Sequence, residues 1–363
     1  QLNIAAKSTM GYLVVLVFVI TILLAFIEPY MKRYKAILYL FIGMALILIA
    51  GLREVGIDPD SRNYEYTYLH YDSPLIIEGL EITYLYLSKF FNNFTHDVHI
   101  IFLLYALMGL GLKFIAFRKL SEFYFLPVIV YISYYYIMHE CMQIRTGVLS
   151  GLLLFYIKAI GDNNKRKAII YLLIGTTFHY SALLLAPFLF IKTTPLEKKR
   201  RWIWGCTIPI AYAITIVGFS ILFIINSDIP FIGNKLAIYQ EAQEKGMADN
   251  SINIYSPLNL FSILLYYYML YFYETIAIKN KYFPLMMRIL TIAIVFHVTF
   301  SFFPVLAVRT YMLFSTITIL MYTYIYYTIK PKWVAILVVS LIAFVYLNYA
   351  IPNISFHILW NPK

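Results

Sequence analysis

The chain encodes an all-α polytopic membrane protein, and three features carry that reading. Of its 363 residues, 62% are apolar and 13% charged, against about 25% charged in ordinary soluble domains. Apolar runs of about 18 residues or more recur from end to end, each long enough for a helix to cross a hydrocarbon core of roughly 30 Å. Lys and Arg gather in short clusters between those runs, the pattern that orients spans in a bilayer. A soluble fold is thereby excluded. The net charge of +11 belongs to these clusters and points to no nucleic acid.

In order, the apolar runs fall at 10–29, 36–52, 97–117, 123–138, 143–160, 168–191, 202–225, 258–276, 285–303, 306–328 and 333–350. The first has no small-residue exit site of the signal-peptide kind and is expected to be a retained span. Basic clusters follow the first, third, fifth and sixth runs at Lys32–Lys35, Arg118–Lys119, Lys165–Lys167 and Lys198–Arg201, and later ones include Lys279, Lys281, Lys330 and Lys332. Strict alternation of sides would put every basic cluster after 168–191 outside, against the positive-inside bias. The conflict disappears if 168–191 enters and returns as a pair of half-helices with its tip near Phe178-His179-Tyr180-Ser181. The alternative is an ordinary kinked span. A re-entrant tip is tolerated only where buried in protein or lining a watery cavity, so it would mark a site. The expectation is about ten full transmembrane helices plus one re-entrant half-helix pair, both termini outside, forming a single transmembrane domain over 1–363. Its two long outer loops are 53–96, with an amphipathic stretch near Leu80 to Phe94, and 226–257. Cys141 and Cys206 have neither a metal-ligand spacing nor an obvious pairing and read as packing residues.

Arg53, Arg145 and Arg309 sit at the ends of runs on the outer side, with Arg62 in the first long loop. Cations there oppose the orientation signal, and each guanidinium can pair two phosphate oxygens at once. An anionic substrate would explain all four; the alternative gives each a salt bridge to Asp58, Asp60, Glu81 or Glu140, or a lipid phosphate. Asp58 and Asp60 could hold a divalent ion, but capping of the Gly56/Asp-Pro turn is the stronger reading. Glu81, a lone carboxylate on the amphipathic stretch, could act as a base or be solvated. His139 and Glu140 lie at the tight outer turn between the fourth and fifth spans and, being adjacent, do not form a dyad. His179 marks the hairpin tip, and His297 reads as a packing residue. No Gly-rich phosphate loop, nucleophile elbow or zinc spacing is present in the sequence.

Several of these patterns together resemble the bacterial exopolysaccharide and O-antigen polymerase family (EpsG/Wzy-type), integral membrane glycosyltransferases. They are Gly51-Leu52-Arg53 with Gly56-Ile57-Asp58 and Tyr64, Glu81-Ile82-Thr83-Tyr84-Leu85, Ile144-Arg145 with Ser150, Phe178-His179-Tyr180-Ser181-Ala182-Leu183-Leu184, and Arg309-Thr310-Tyr311. Pro59-Asp60 departs from the family's usual aromatic or small residue. The resemblance implies a GT-C-like fold in the bacterial cytoplasmic membrane, facing the exterior, that transfers a growing glycan from undecaprenyl pyrophosphate to a new repeat unit. It implies donor and acceptor lipid-linked glycans, membrane lipid, a chain-length regulator and a flippase as partners. Arg53, Arg62, Arg145 and Arg309 would bind the pyrophosphate. Asp58, Glu81 or His179 would be the base, across the sugar from the arginines. Tyr64, His139 and Glu140 would contact substrate, Tyr64 by stacking or instead serving as an interfacial anchor. No cofactor or metal is expected, and the transfer would invert the anomeric centre. A lipid-to-lipid ligase and a lipid-linked oligosaccharide flippase are the rival readings.

Overall fold

The structure, a computed structural model, describes residues 2–31, 33–77, 80–218 and 252–351. Among them the regular structure is helical, with no strand. The contacts divide it into two compact units, one from residues 1–191 with 319–363 and one from 192–318.

The first unit begins with α1 (Leu2–Ile27) and α2 (Lys35–Gly51). The loop after α2 folds into α3 (Ser61–Leu69), α4 (Pro74–Ile77) and α5 (Ile82–Asn92), the last on the expected amphipathic stretch. Next come α6 (His99–Leu120) and α7 (Leu126–Val130), which continues as two π-helical segments, Tyr131–Tyr135 and Ile137–Met142. Then follow α8 (Ile144–Gly161) and α9 (Lys165–Phe178). The Asn164 side chain accepts the Lys167 N–H and starts α9, as a helix N-cap should. At His179 the backbone turns extended, and the chain resumes as a 3-10 helix, Tyr180–Phe190, packed back on α9. α6 is the centre of this unit, packed on α2 and α8, while α8 also carries α9. Small residues permit the approach: a methyl group at Gly43 would meet the Phe114 ring at 3.1 Å.

The second unit holds α10 (Lys198–Ile216), α11 (Pro257–Tyr271), α12 (Tyr273–Lys279), α13 (Phe283–Thr299) and α14 (Pro304–Ser315). Prolines in the first turns of α11, α13 and α14 fall where a missing N–H costs nothing. Here α13 packs on α10, α11 and α14, and Tyr266 donates its hydroxyl to the Trp204 carbonyl at 2.8 Å. α15 (Thr318–Thr323) straddles the boundary between units, and α16 (Lys332–Ala350) belongs to the first, where it packs on α7 and its π-helical extension.

Among the described residues, four helices are long and apolar enough to cross a membrane, or up to six if two bent pairs each count as one span; α11 and α12, bent by 81°, are such a pair. Other apolar runs form shorter helices, including α2 and α13. The run 123–138 becomes the π-helical segment, and 202–225 is described as helix only to Ile216. Most of the long loop expected at 226–257, up to residue 251, lies outside the described residues.

Candidate active site

Two clusters of charged side chains form in the first unit, where the loop from 53 to 96 folds over the start of α6. In the first, Arg53 turns back on α2: Nη1 donates to the Ala50 carbonyl at 2.6 Å and Nε to Asp58 Oδ2 at 3.1 Å. Its guanidinium lies 3.8 Å from the centre of the Phe102 ring. Asp58 Oδ1 accepts the backbone N–H groups of Asp60 at 3.0 Å and Ser61 at 2.8 Å, so the carboxylate caps α3. Both side chains of this pair are fully buried. The turn is closed by Gly56, at φ +91°, whose N–H donates to Ser61 Oγ at 2.8 Å. Arg62 lies against Gly56, exposed, with no hydrogen-bond or ion-pair partner among the described residues.

The second cluster joins Arg145 to Glu81, one of the salt bridges open to it from the sequence, and adds His179. Glu81, the residue before α5, is buried; its Oε2 accepts from Arg145 Nη1, in the first turn of α8. Its Oε1 stands 3.8 Å from His179 Nε2, at the break between α9 and the 3-10 helix. His179 Nδ1 accepts the Ser181 N–H at 3.1 Å, with Ser181 Oγ at 2.8 Å. A backbone N–H can only donate, so Nδ1 carries no proton and the neutral ring turns its Nε2–H toward Glu81. Thr83 fixes the geometry from α5: its hydroxyl donates to the Thr177 carbonyl, at the end of α9, at 2.8 Å.

Aromatic rings connect the clusters. Tyr64 is buried with its ring centroid 5.8 Å from that of Tyr84 and 6.4 Å from that of Phe102, and Arg145 Cζ lies 5.6 Å from the Tyr64 ring. Burial pushes the Tyr64 hydroxyl above its ordinary pKa, with the Arg145 cation opposing, and pushes Tyr84 well up. Both therefore remain protonated, and Tyr84 donates to the Tyr64 carbonyl at 2.8 Å. Tyr64, expected to stack on a sugar, is a core residue, as is Tyr68 on the same helix, whereas Tyr66 is exposed beside His70, ring centroids 4.4 Å apart.

His139 and Glu140 are not at an open turn. Both are buried in the helix bundle, where Glu140 Oε1 accepts from Lys113 Nζ and from the Tyr131 hydroxyl at 2.8 Å. Lys113 Nζ also donates to the Gly147 carbonyl at 2.6 Å, and His139 Nδ1 meets Ser150 Oγ at 3.1 Å. Lys113 was missed because it sits inside an apolar run; a lone Lys there is itself a signal, since it needs a partner at membrane depth. Arg309 is exposed on α14, in the second unit. His297 is buried there, its ring centroid 4.5 Å from that of Tyr311. Among the described residues, no three His, Cys, Asp or Glu side chains group to hold a metal. Both cysteines are free, Cys141 buried and Cys206 exposed.

The fold and this cluster define a helical membrane protein with a buried carboxylate held between a guanidinium and an imidazole. A profile of the EpsG family matches residues 36–362, and the chain belongs to that family. It is 22% identical over 329 residues to the amylovoran biosynthesis protein AmsC of Erwinia amylovora, covering 86% of this chain and 84% of that protein. No solved structure matches.

Proposed function

We propose that the protein is a glycosyltransferase that polymerises undecaprenyl-pyrophosphate-linked repeat units into exopolysaccharide or O-antigen at the outer face of the bacterial cytoplasmic membrane. The observation that carries this reading is Glu81, buried between Arg145 and His179. Family membership and the polysaccharide named in the relative's title support it. In this reading the chain makes about ten crossings, with 168–191 re-entering from the cytoplasm. The break at His179, with both halves packed together, is what such a hairpin needs.

Glu81 takes the proton of the attacking sugar hydroxyl as the new glycosidic bond forms at the anomeric carbon. The bond to the diphosphate breaks with its electron pair leaving on pyrophosphate, and the centre inverts. A positioned base contributes about 10² to 10⁴ in rate. Arg145 already grips Glu81, so it cannot stand on the far side of the same sugar; it orients the base. Within the first unit the diphosphate falls to Arg62, a cation with no such partner among the described residues, whose charge replaces that of a metal. Asp58 holds Arg53 and the α3 turn with both oxygens, which leaves it poorly placed as base or metal ligand.

The test is disruption of the gene and complementation. Loss of the protein leaves surface glycan capped at a single repeat unit; wild type restores polymer, while Glu81→Gln and His179→Ala insert normally and do not. Near-normal polymer from Glu81→Gln overturns the assignment of the base. Absence of all glycan from the final anchor would mean a ligase, and lipid-linked units trapped on the cytoplasmic side a flippase. Purified protein should polymerise in excess chelator; activity that returns only with magnesium or manganese refutes the metal-free step.

A further inference from the structure

Helix α5 carries a face that the fold leaves bare. Ile82, Tyr86 and Phe90 are 51, 64 and 55% exposed, and a spacing of four places them along one side; Phe94, in the turn just past the helix and 75% exposed, extends the stripe with its ring centroid 5.3 Å from that of Phe90. The opposite side is fixed. Tyr84 and Ser88 are buried, Thr83 is tied to the Thr177 carbonyl, and Asn92 Nδ2 donates to the Tyr68 carbonyl at 3.1 Å. The helix therefore cannot roll to hide the stripe. Lys89 and Asn93, both exposed, border it.

An apolar stripe rich in aromatic rings with a cation at its edge is the pattern of a helix lying in a membrane surface, its rings at headgroup level and its apolar face sunk roughly 5–10 Å into the boundary with the acyl chains. The length agrees, since 11 residues are too few to cross a bilayer. The charge agrees as well: Lys89 complements a lipid phosphate, and among the described residues no carboxylate pairs with it. The loop from 53 to 96 joins α2 to α6, one of the helices long and apolar enough to span, which keeps α5 within reach of that surface.

We infer that α5 lies in the bilayer surface, with Ile82, Tyr86 and Phe90, and Phe94 just past the helix, at the boundary between headgroups and acyl chains and Lys89 against lipid phosphate. This holds whatever reaction the protein performs. Its consequence for the site is one of depth. Glu81 immediately precedes Ile82, so the carboxylate is held at headgroup level, where the diphosphate of a lipid-linked substrate also lies.

The experiment uses the full chain reconstituted in vesicles of phosphatidylethanolamine and phosphatidylglycerol. Nitroxide labels are placed singly at Tyr86→Cys, Phe90→Cys and Asn93→Cys in a Cys141→Ser/Cys206→Ser background. Labels at 86 and 90 should relax several-fold more with oxygen than with a water-soluble nickel chelate, and the label at 93 should show the smaller ratio. Equal nickel accessibility at all three positions overturns the inference, as does immobilisation with spin–spin broadening, which would mean a second copy on the stripe. A parallel Phe90→Trp variant retains both cysteines and so covers a background that fails to fold. The emission it adds over the wild-type chain, which has four tryptophans of its own, should be quenched by lipids brominated near the glycerol; quenching of that added emission by aqueous iodide alone would refute lipid burial.

Discussion

Lys113 and Glu140 face each other inside the first unit with no side-chain exposure on either. Replacing Lys113 by Met removes the cation and leaves the carboxylate with the Tyr131 hydroxyl alone on Oε1, while Oε2 has no partner. Replacing Glu140 by Leu leaves an ammonium held only by the Gly147 carbonyl. There is no slack to rearrange, since a methyl group at Gly147 would already sit 3.1 Å from Glu140 Oε2. An uncompensated buried charge costs about 3–5 kcal/mol, whereas neutral polar contacts in membrane bundles average about 0.6 kcal/mol. The charge term dominates here because both groups lie out of water. Each single variant should lose about 3–5 kcal/mol of unfolding free energy in detergent, and the double variant Lys113→Met/Glu140→Leu should lose much less than their sum. Denaturant titration of the purified protein, followed by tyrosine fluorescence and compared in a double-mutant cycle, measures this. Single variants within about 1 kcal/mol of wild type, or an additive double variant, would refute the argument.

Gly56→Ala should lower stability by about 1–2 kcal/mol from the left-handed backbone alone, and its methyl would stand 2.7 Å from Arg62 Nε. Thermal unfolding should show that loss together with weaker use of the lipid-linked donor, read as a raised KM; an unchanged KM would mean that Arg62 does not meet the donor. Thr83→Val should cost about 1 kcal/mol and lower kcat by freeing the end of α9 from α5, whereas Thr83→Ser should restore both. Equal kcat for the Val and Ser variants would show that the hydroxyl does not position His179.

Helix positions were largely legible in the sequence because each apolar run had to satisfy its backbone internally, and in lipid a helix does so. What the runs could not show is where a helix bends. The break at Phe272 and the π-helical segment Tyr131–Tyr135 lie inside apolar runs, and only packing selects them. The interruption at His179 was visible through the charges flanking it. Within the site, Glu81, Arg145 and His179 were each singled out on local chemistry, but contacts across 64 residues leave no periodic trace. Glu140 shows the opposite failure: its place at a loop suggested solvent, and Lys113, its partner across 27 residues, was concealed by the hydrophobicity of its neighbours.

Glu28, just past the end of α1, has a consequence for the order in which the chain is made. Its two carboxylate oxygens accept the N–H groups of Tyr124 and Phe125, at 2.9 and 3.2 Å, the two residues that lead into α7. An anion at a helix start is favoured there, yet its partners lie 96 and 97 residues downstream. At roughly 5–20 residues per second, α1 waits roughly 5 to 20 s after its own synthesis before those N–H groups leave the ribosome. During that interval the first helix is held by lipid and by α2 alone, and any chaperone or insertase that retains early helices has to retain this one until the fourth apolar run begins to emerge.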